Sequence, residues 1–182
     1  MTDLIVREAR DEDAGALAAL VRAVSQDQPD GAVEAAERPS LDQPAASFAE
    51  RDGRLWLLMS QDEAVGALGV YRGARPKEFD LALIGLDREQ RGLGLAAALL
   101  AGAEAFAAAS GGAALGVWVD TRLSDAIDFL QRQGFVREPG LKGRHEGSDA
   151  VEIRFSRPIG AGSADGDPVS RQPSEAHRDA AV

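Results

Sequence analysis

The sequence predicts an α/β domain built on a mixed, mostly antiparallel sheet with helices packed on its faces. Three observations carry that prediction. Between residues 55 and 86 three short apolar runs follow one another with only tight, polar connections, and short connections make neighbouring strands antiparallel. After Gly92 and Gly94 the hydrophobic period changes: Leu95, Leu99, Gly102 and Phe106 recur at helical spacing. From Ala114 onward strand-like and helix-like segments alternate, which puts helices on the faces of a sheet.

Each element has a local reason. Leu4-Ile5-Val6 reads as a short first strand, and Asp11 as the N-cap of a helix whose face is Ala14, Leu17, Val21 and Val24. Glu12 and Asp13 add negative charge in the first turn, where the helix dipole favours it. Residues 26–44 carry Pro29, Gly31, Pro39 and Pro44 and read as loop with at most a short helix at 32–37; a second short helix is expected over 45–51. Strands follow at Leu55–Ser60, Ala64–Tyr71 and Phe79–Leu86. The Ala-rich helix from Leu95 stops at Ser110-Gly111-Gly112, because glycine takes up the left-handed backbone that ends helices. A strand at 114–119, a helix at 124–133 closed by Gly134, a strand begun by Phe135-Val136 and a last strand at 151–156 complete the order β-α-α-β-β-β-α-β-α-β-β. Beyond Ile159 the chain has almost no large apolar residues, so the domain is expected over residues 1–158 and a disordered tail over 159–182.

Composition excludes several function classes. The 182 residues include no cysteine, which removes disulfide scaffolds, cysteine-ligated metal clusters and thiol nucleophiles and fits a reducing cytoplasm. Thirty acids against twenty bases leave a net charge of −10, the wrong sign for a protein that neutralises phosphates on nucleic acid. The N-terminal stretch lacks the basic and long apolar regions of a secretion signal. Gly92 to Val119 contains one charge, Glu104, but it is Ala- and Gly-rich and broken by Gly111-Gly112, so it reads as helix, turn and strand and not as a membrane span. His145 and His177 have no clustered metal-ligand partners, and no metal is expected.

The residues that point to chemistry lie between Leu86 and Ala96. Gly92 and Gly94 join a strand to a helix N-terminus, where free N–H groups face whatever sits in front and an anion, usually phosphate, is the natural guest. Arg91 adds a positive charge beside them. Gly92-x-Gly94-x-x-Ala97 also satisfies a dinucleotide fingerprint, with Asp120 as its downstream acid, but a hairpin series precedes it and two Rossmann halves do not fit the length. A Walker loop is excluded because no lysine follows the glycines.

Here the chain resembles a family. Arg91-Gly92-Leu93-Gly94-Leu95-Ala96 matches the Q/R-x-x-G-x-G/A signature of the GNAT superfamily of acyl-CoA N-acyltransferases, and Ala126 through Gly134-Phe135 looks like that family's second landmark. The resemblance covers about residues 3–157. It implies a fourth strand splayed from the fifth to form a V-shaped cleft for acetyl-CoA. Backbone groups near Ile84 and Leu86 would pair with pantetheine, one of these N–H groups would hold the thioester oxygen, and the N–H groups of Arg91, Gly92, Leu93, Gly94, Leu95 and Ala96 would hold the pyrophosphate. It further implies direct attack by a primary amine, with Asp80, or Glu78 on the same strand face, as the base that frees the amine. The five acids Asp27, Asp30, Glu34, Glu37 and Asp42 suggest a cationic acceptor, in the segment where this fold reads acceptors. The resemblance leaves room for a homodimer and calls for neither nucleic acid nor membrane.

The departures from the pattern are specific. The family's proton-donating Tyr falls at Leu130, and its Asn at Leu123 or, counted forward from the strand, at Thr121. Ser124 or a water is then the substitute proton donor to the leaving thiolate. A thiol with a pKa of roughly 8.5 also leaves tolerably well at neutral pH without one. Two other classes compete with the enzyme: a CoA-binding module without turnover, and an interaction protein that keeps only the fold.

Overall fold

A computed structural model describes residues 3–28, 39–143 and 151–160, apart from the side chains of Leu83 and Ile84. Strand β1 (Leu4–Glu8) leads through a 3-10 turn at Asp11–Asp13 into α1 (Ala14–Gln26), followed by α2 (Pro44–Ala49). Strands β2 (Arg54–Ser60), β3 (Glu63–Arg72) and β4 (Glu78–Leu86) precede α3 (Leu95–Ala109), β5 (Ala114–Asp120) and α4 (Ser124–Arg132). The short β6 (Val136–Arg137) and β7 (Lys142–Gly143) and the longer β8 (Val151–Pro158) end the described chain. The spatial order is β1-β2-β3-β4-β5-β8-β6, with β7 also on β8.

Strand alternation builds the two sides of the core. On one face Leu17, Leu20 and Val24 of α1 and Phe48 of α2 pack on Leu55, Leu57, Ala67, Tyr71 and Ala82. On the other, Leu99, Leu100, Ala103 and Ala107 of α3 and Leu130 of α4 pack on Val70, Phe79, Leu81, Leu115 and Val117. The sheet is antiparallel except at one place. There β4 runs parallel to β5, and only Glu78, Phe79 and Asp80 pair, with Ala114, Leu115 and Gly116. Past Asp80, β4 stays on β3 while β5 stays on β8 through Asp120. The sheet therefore opens into a V between two of its central strands, as the family resemblance implied.

The expected elements are present, with ends shifted by a residue or two, and the Ala-rich stretch is indeed helix, turn and strand. No helix among the described residues is long and apolar enough to cross a membrane. The capping of α1 differs. Asp11 does not cap α1; its Oδ1 accepts the N–H of Ala46 in the first turn of α2, at 3.1 Å. Asp13 takes the local role, accepting from Arg10 N at 2.7 Å and pairing with Arg7 at 2.7 Å. Next to the expected boundary at residue 158, Ile159 N donates to Ala113 O at 3.0 Å and Gly160 N to Glu104 at 3.0 Å. Strand β7 is too short to show a period. The segments 29–38 and 161–182, which hold the expected helix at 32–37 and most of the expected tail, lie outside the described residues, as does His145.

Candidate active site

The V is shaped by a break in register on β4. Ala67 pairs with Gly85 and Leu68 with Leu83, so Ile84 is an extra residue, and Gly85 takes φ +121°. A bulge of this kind twists a strand and disrupts its ladder. Here it falls beyond Asp80, where β4 has no partner on the β5 side. The expected pantetheine-pairing positions near Ile84 and Leu86 lie on this stretch of β4, past the last pair with β5.

The strand then runs through Asp87 and the 3-10 turn at Arg88–Gln90 into the glycine turn. Gly92 and Gly94 have φ values of +78° and +77°, a conformation that side chains with a Cβ rarely adopt. A Cβ at either would meet no atom within 4 Å, so these glycines are required by backbone conformation, and the space before them is open. Gly94 is also the N-cap residue of α3 and supplies no side chain to its orphan N–H groups. Leu93, Gly92 and Gly94 are exposed, and Leu95 and Ala96 begin the helix. A helix N-terminus of this kind favours an anion in front of it.

A cavity of about 370 Å³ lies against the end of β4, past the point where β5 leaves it. Leu86, Gly92 and Ala96 line it from the β4–α3 side, Ala126 and Phe129 from α4, and Val24 and Gln28 from α1. It thus reaches from the α3–α4 face to the α1 face through the opening in the sheet. Arg91 lines it as well but is already engaged, donating Nε to the carbonyl of Leu86 at 3.1 Å and Nη2 to Asp27 at 3.2 Å. Asp27, expected to read an acceptor, therefore ties the end of α1 to the glycine turn.

Glu78 and Asp80 do not line this cavity. They line a second one, of about 300 Å³, with Arg75, Trp118, Lys142 and Arg154. It lies on the α1–α2 face, since Asp80 is two residues from Ala82, which packs there. Asp80 pairs with Gly116, the last contact before the V opens. Arg154 of β8 crosses β5 at this point, donating Nη2 to Glu78 and, at 2.7 Å, to Asp80 Oδ1. Its side chain is 6% exposed, against 8% for Glu78 and 13% for Asp80. The crossing needs Gly116, where a Cβ would lie 2.2 Å from Arg154 Nη2 and 2.7 Å from Asp80 Oδ1. Arg75 donates to both oxygens of Glu138 at 2.8 Å. That pairing holds the Glu138 carboxyl below the usual carboxylate range, with smaller help from Ser156 and Arg154. Arg154 Nε is buried with no hydrogen-bond partner among the described residues, 3.7 Å from Glu138.

The other expected site residues are placed as follows. Ser124 is the exposed first residue of α4, and Thr121 is exposed with its N–H donated to Val151 O at 2.8 Å; neither lines the cleft cavity. Leu130 is fully buried in the core beneath α4. Asp120, the acid a Rossmann reading would assign to ribose, is buried and accepts three bonds from Arg122, at 2.6–2.9 Å. Arg154 and Gly116 were missed. The available signal was an arginine on the alternating strand 151–156, since a buried charge must find a partner.

Known proteins share this fold. The chain superposes on a GNAT-family acetyltransferase from Streptococcus pneumoniae with TM-score 0.67 at 21% identity, covering 86% of this chain and 100% of that one. A GNAT-family acetyltransferase from Staphylococcus aureus Mu50 gives 0.73 at 15% identity, covering 86% and 99%. A Salmonella typhimurium protein solved with its cofactor acetyl-CoA gives 0.65 at 13% identity, covering 88% and 96%. No curated protein sequence matches the chain. The profile of the acetyltransferase (GNAT) family matches residues 11–135, a span that holds the splayed strands, the glycine turn and α4. By that match the chain belongs to the GNAT acetyltransferase family.

Proposed function

We propose that the protein transfers an acetyl group from acetyl-CoA to a primary amine by direct attack. The observation that carries this reading is the V between β4 and β5 with the glycine turn at its mouth. In this reading the N–H groups of residues 91–96 hold the pyrophosphate, and the free edge of β4 around the Ile84–Gly85 bulge pairs with pantetheine. One N–H of that edge holds the thioester oxygen as charge develops on it. Asp80, with Glu78 beside it, takes the proton from the attacking ammonium; the ion pair with Arg154 uses Oδ1, and Oδ2 is the basic atom. Ser124 or a water returns a proton to the thiolate.

The acceptor is read as cationic. Of the acids that suggest this, Asp27 is tied to Arg91, Asp42 Oδ2 accepts from Ser40 at 3.3 Å, and Asp30, Glu34 and Glu37 lie outside the described residues. Glu78 and Asp80 add two carboxylates at the second cavity, where they are shared with Arg154. Burial of Leu130, which has no proton to give, favours a second reading as a CoA-binding module without turnover.

The test is the thermal midpoint with and without acetyl-CoA in the parent and in Gly94→Arg, which strains the positive φ and fills the cradle. Ligand at 100 times its Kd adds about 2.7 kcal/mol of stability, a rise of several degrees. A rise in the parent that is lost in Gly94→Arg supports the cleft; no rise in either removes the reading. An amine screen by thiol release then separates enzyme from binding module.

A further inference from the structure

The chain carries eighteen arginines and only two lysines, Lys77 and Lys142. One of the two, Lys142, lines the cavity that holds the candidate base. We propose that Lys142 is an acceptor of the protein's own reaction, acetylated at Nζ within the same molecule. The proposal rests on the acetyl-transfer reading above.

The geometry brings three things to one place. Lys142 pairs with Glu152 across β7 and β8, and its Nζ stands 5.3 Å from the centroid of the Trp118 ring. Trp118 is two residues past Gly116 on β5, hence on the same strand face and on the side of the V that has just opened. Glu78 and Asp80 enter the cavity from the opposite strand. A primary ammonium on an aromatic face, in a cavity whose wall carries two carboxylates beside Arg75 and Arg154, has the chemistry of the acceptor this reaction needs.

Charge adds a consequence. Glu78 and Asp80 line this cavity with Arg75 and Arg154, Glu138 pairs with both arginines, and the Lys142 ammonium adds a further positive charge to the wall. In the reaction the Nζ lone pair forms the N–C bond to the acetyl carbon as the C–S bond breaks. CoA leaves as the thiol with one proton, and one proton passes through Asp80 to solvent. The product amide is neutral, so acetylation removes one positive charge from the cavity wall, which favours a following cationic acceptor.

The experiment incubates the full chain with acetyl-CoA and follows acetyl incorporation by intact mass and peptide mapping over a range of protein concentrations. Lys77 is exposed and serves as the internal measure of chemical acetylation. The expected result is one acetyl group on Lys142, appearing at least ~10-fold faster than on Lys77 because proximity favours it. The rate should be independent of protein concentration, and the label absent in Lys142→Arg and Gly94→Arg. Equal labelling of both lysines, a rate proportional to protein concentration, or unmodified Lys142 in a protein whose midpoint acetyl-CoA raises would each overturn the proposal while leaving the cleft intact. If acetyl-CoA does not raise the midpoint, the functional reading fails, and this proposal with it.

Discussion

Gly116→Ala offers the sharpest separation between what local propensity and tertiary packing expect. Glycine inside a strand is about 0.5–1 kcal/mol worse than alanine on backbone entropy alone, and Gly116 does not have a positive φ. Propensity therefore expects stabilisation. The structure expects the reverse, because the new Cβ would lie 2.2 Å from Arg154 Nη2 and 2.7 Å from Asp80 Oδ1. Arg154 is the far end of a flexible chain, but its side chain is only 6% exposed and bonds two carboxylates. Moving it weakens both bonds. Full loss of one partner of a buried pair costs about 3–5 kcal/mol, and overpacking costs about 1–3 kcal/mol. A partial displacement should fall in the lower range. Net destabilisation of about 1–3 kcal/mol would lower the midpoint by roughly 2–12 °C for a domain of this size.

The assay is thermal and denaturant unfolding of the parent, Gly116→Ala, Arg154→Ala and the double variant. With Arg154 removed, the closest clash is gone and only Asp80 Oδ1 stays near the new Cβ, so the coupling should exceed about 1 kcal/mol where independent sites would add within ~0.5. A Gly116→Ala protein as stable as the parent, or additive effects, would refute the idea that glycine at this position exists to let the guanidinium through.

Other outcomes follow from the same geometry. Asp80→Asn should lower kcat by about 10² to 10⁴, the usual scale for general base catalysis, while the midpoint rise with acetyl-CoA persists; unchanged turnover would place the base elsewhere. Arg7, through its hydrogen bonds, holds the Asp13 carboxyl below its ordinary value. Asp13 therefore adds stability at neutral pH that is lost as pH falls through and below the usual carboxylate range of about 4. Asp13→Asn should cost roughly 1 kcal/mol at pH 7 and flatten the acid limb of a midpoint-against-pH curve; an unchanged limb would assign it to other groups. Gly94→Arg should keep the fold, read by far-UV circular dichroism, yet lose the acetyl-CoA response.

What the sequence determined by itself is what depends on near neighbours along the chain. Apolar period separates helix from strand over a few residues, so the element order could be read directly. Gly92 and Gly94 announce a turn only glycine makes, and their place before a helix names an anion cradle. The V itself entered through a family resemblance and not through any period. What tertiary structure alone decided is which distant charges meet. Asp80 and Arg154 are 74 residues apart, and they bond because β4, β5 and β8 pair in one register with a glycine between them. Arg91, read as a phosphate ligand, is shared with Asp27 because α1 ends over the glycine turn. Asp11 serves α2 and not α1 for the same kind of reason. A charged side chain is satisfied by whatever the fold carries within about 3 Å of it. Local pattern says where a strand runs, but that distance is set by the register and crossing of elements far apart in the chain.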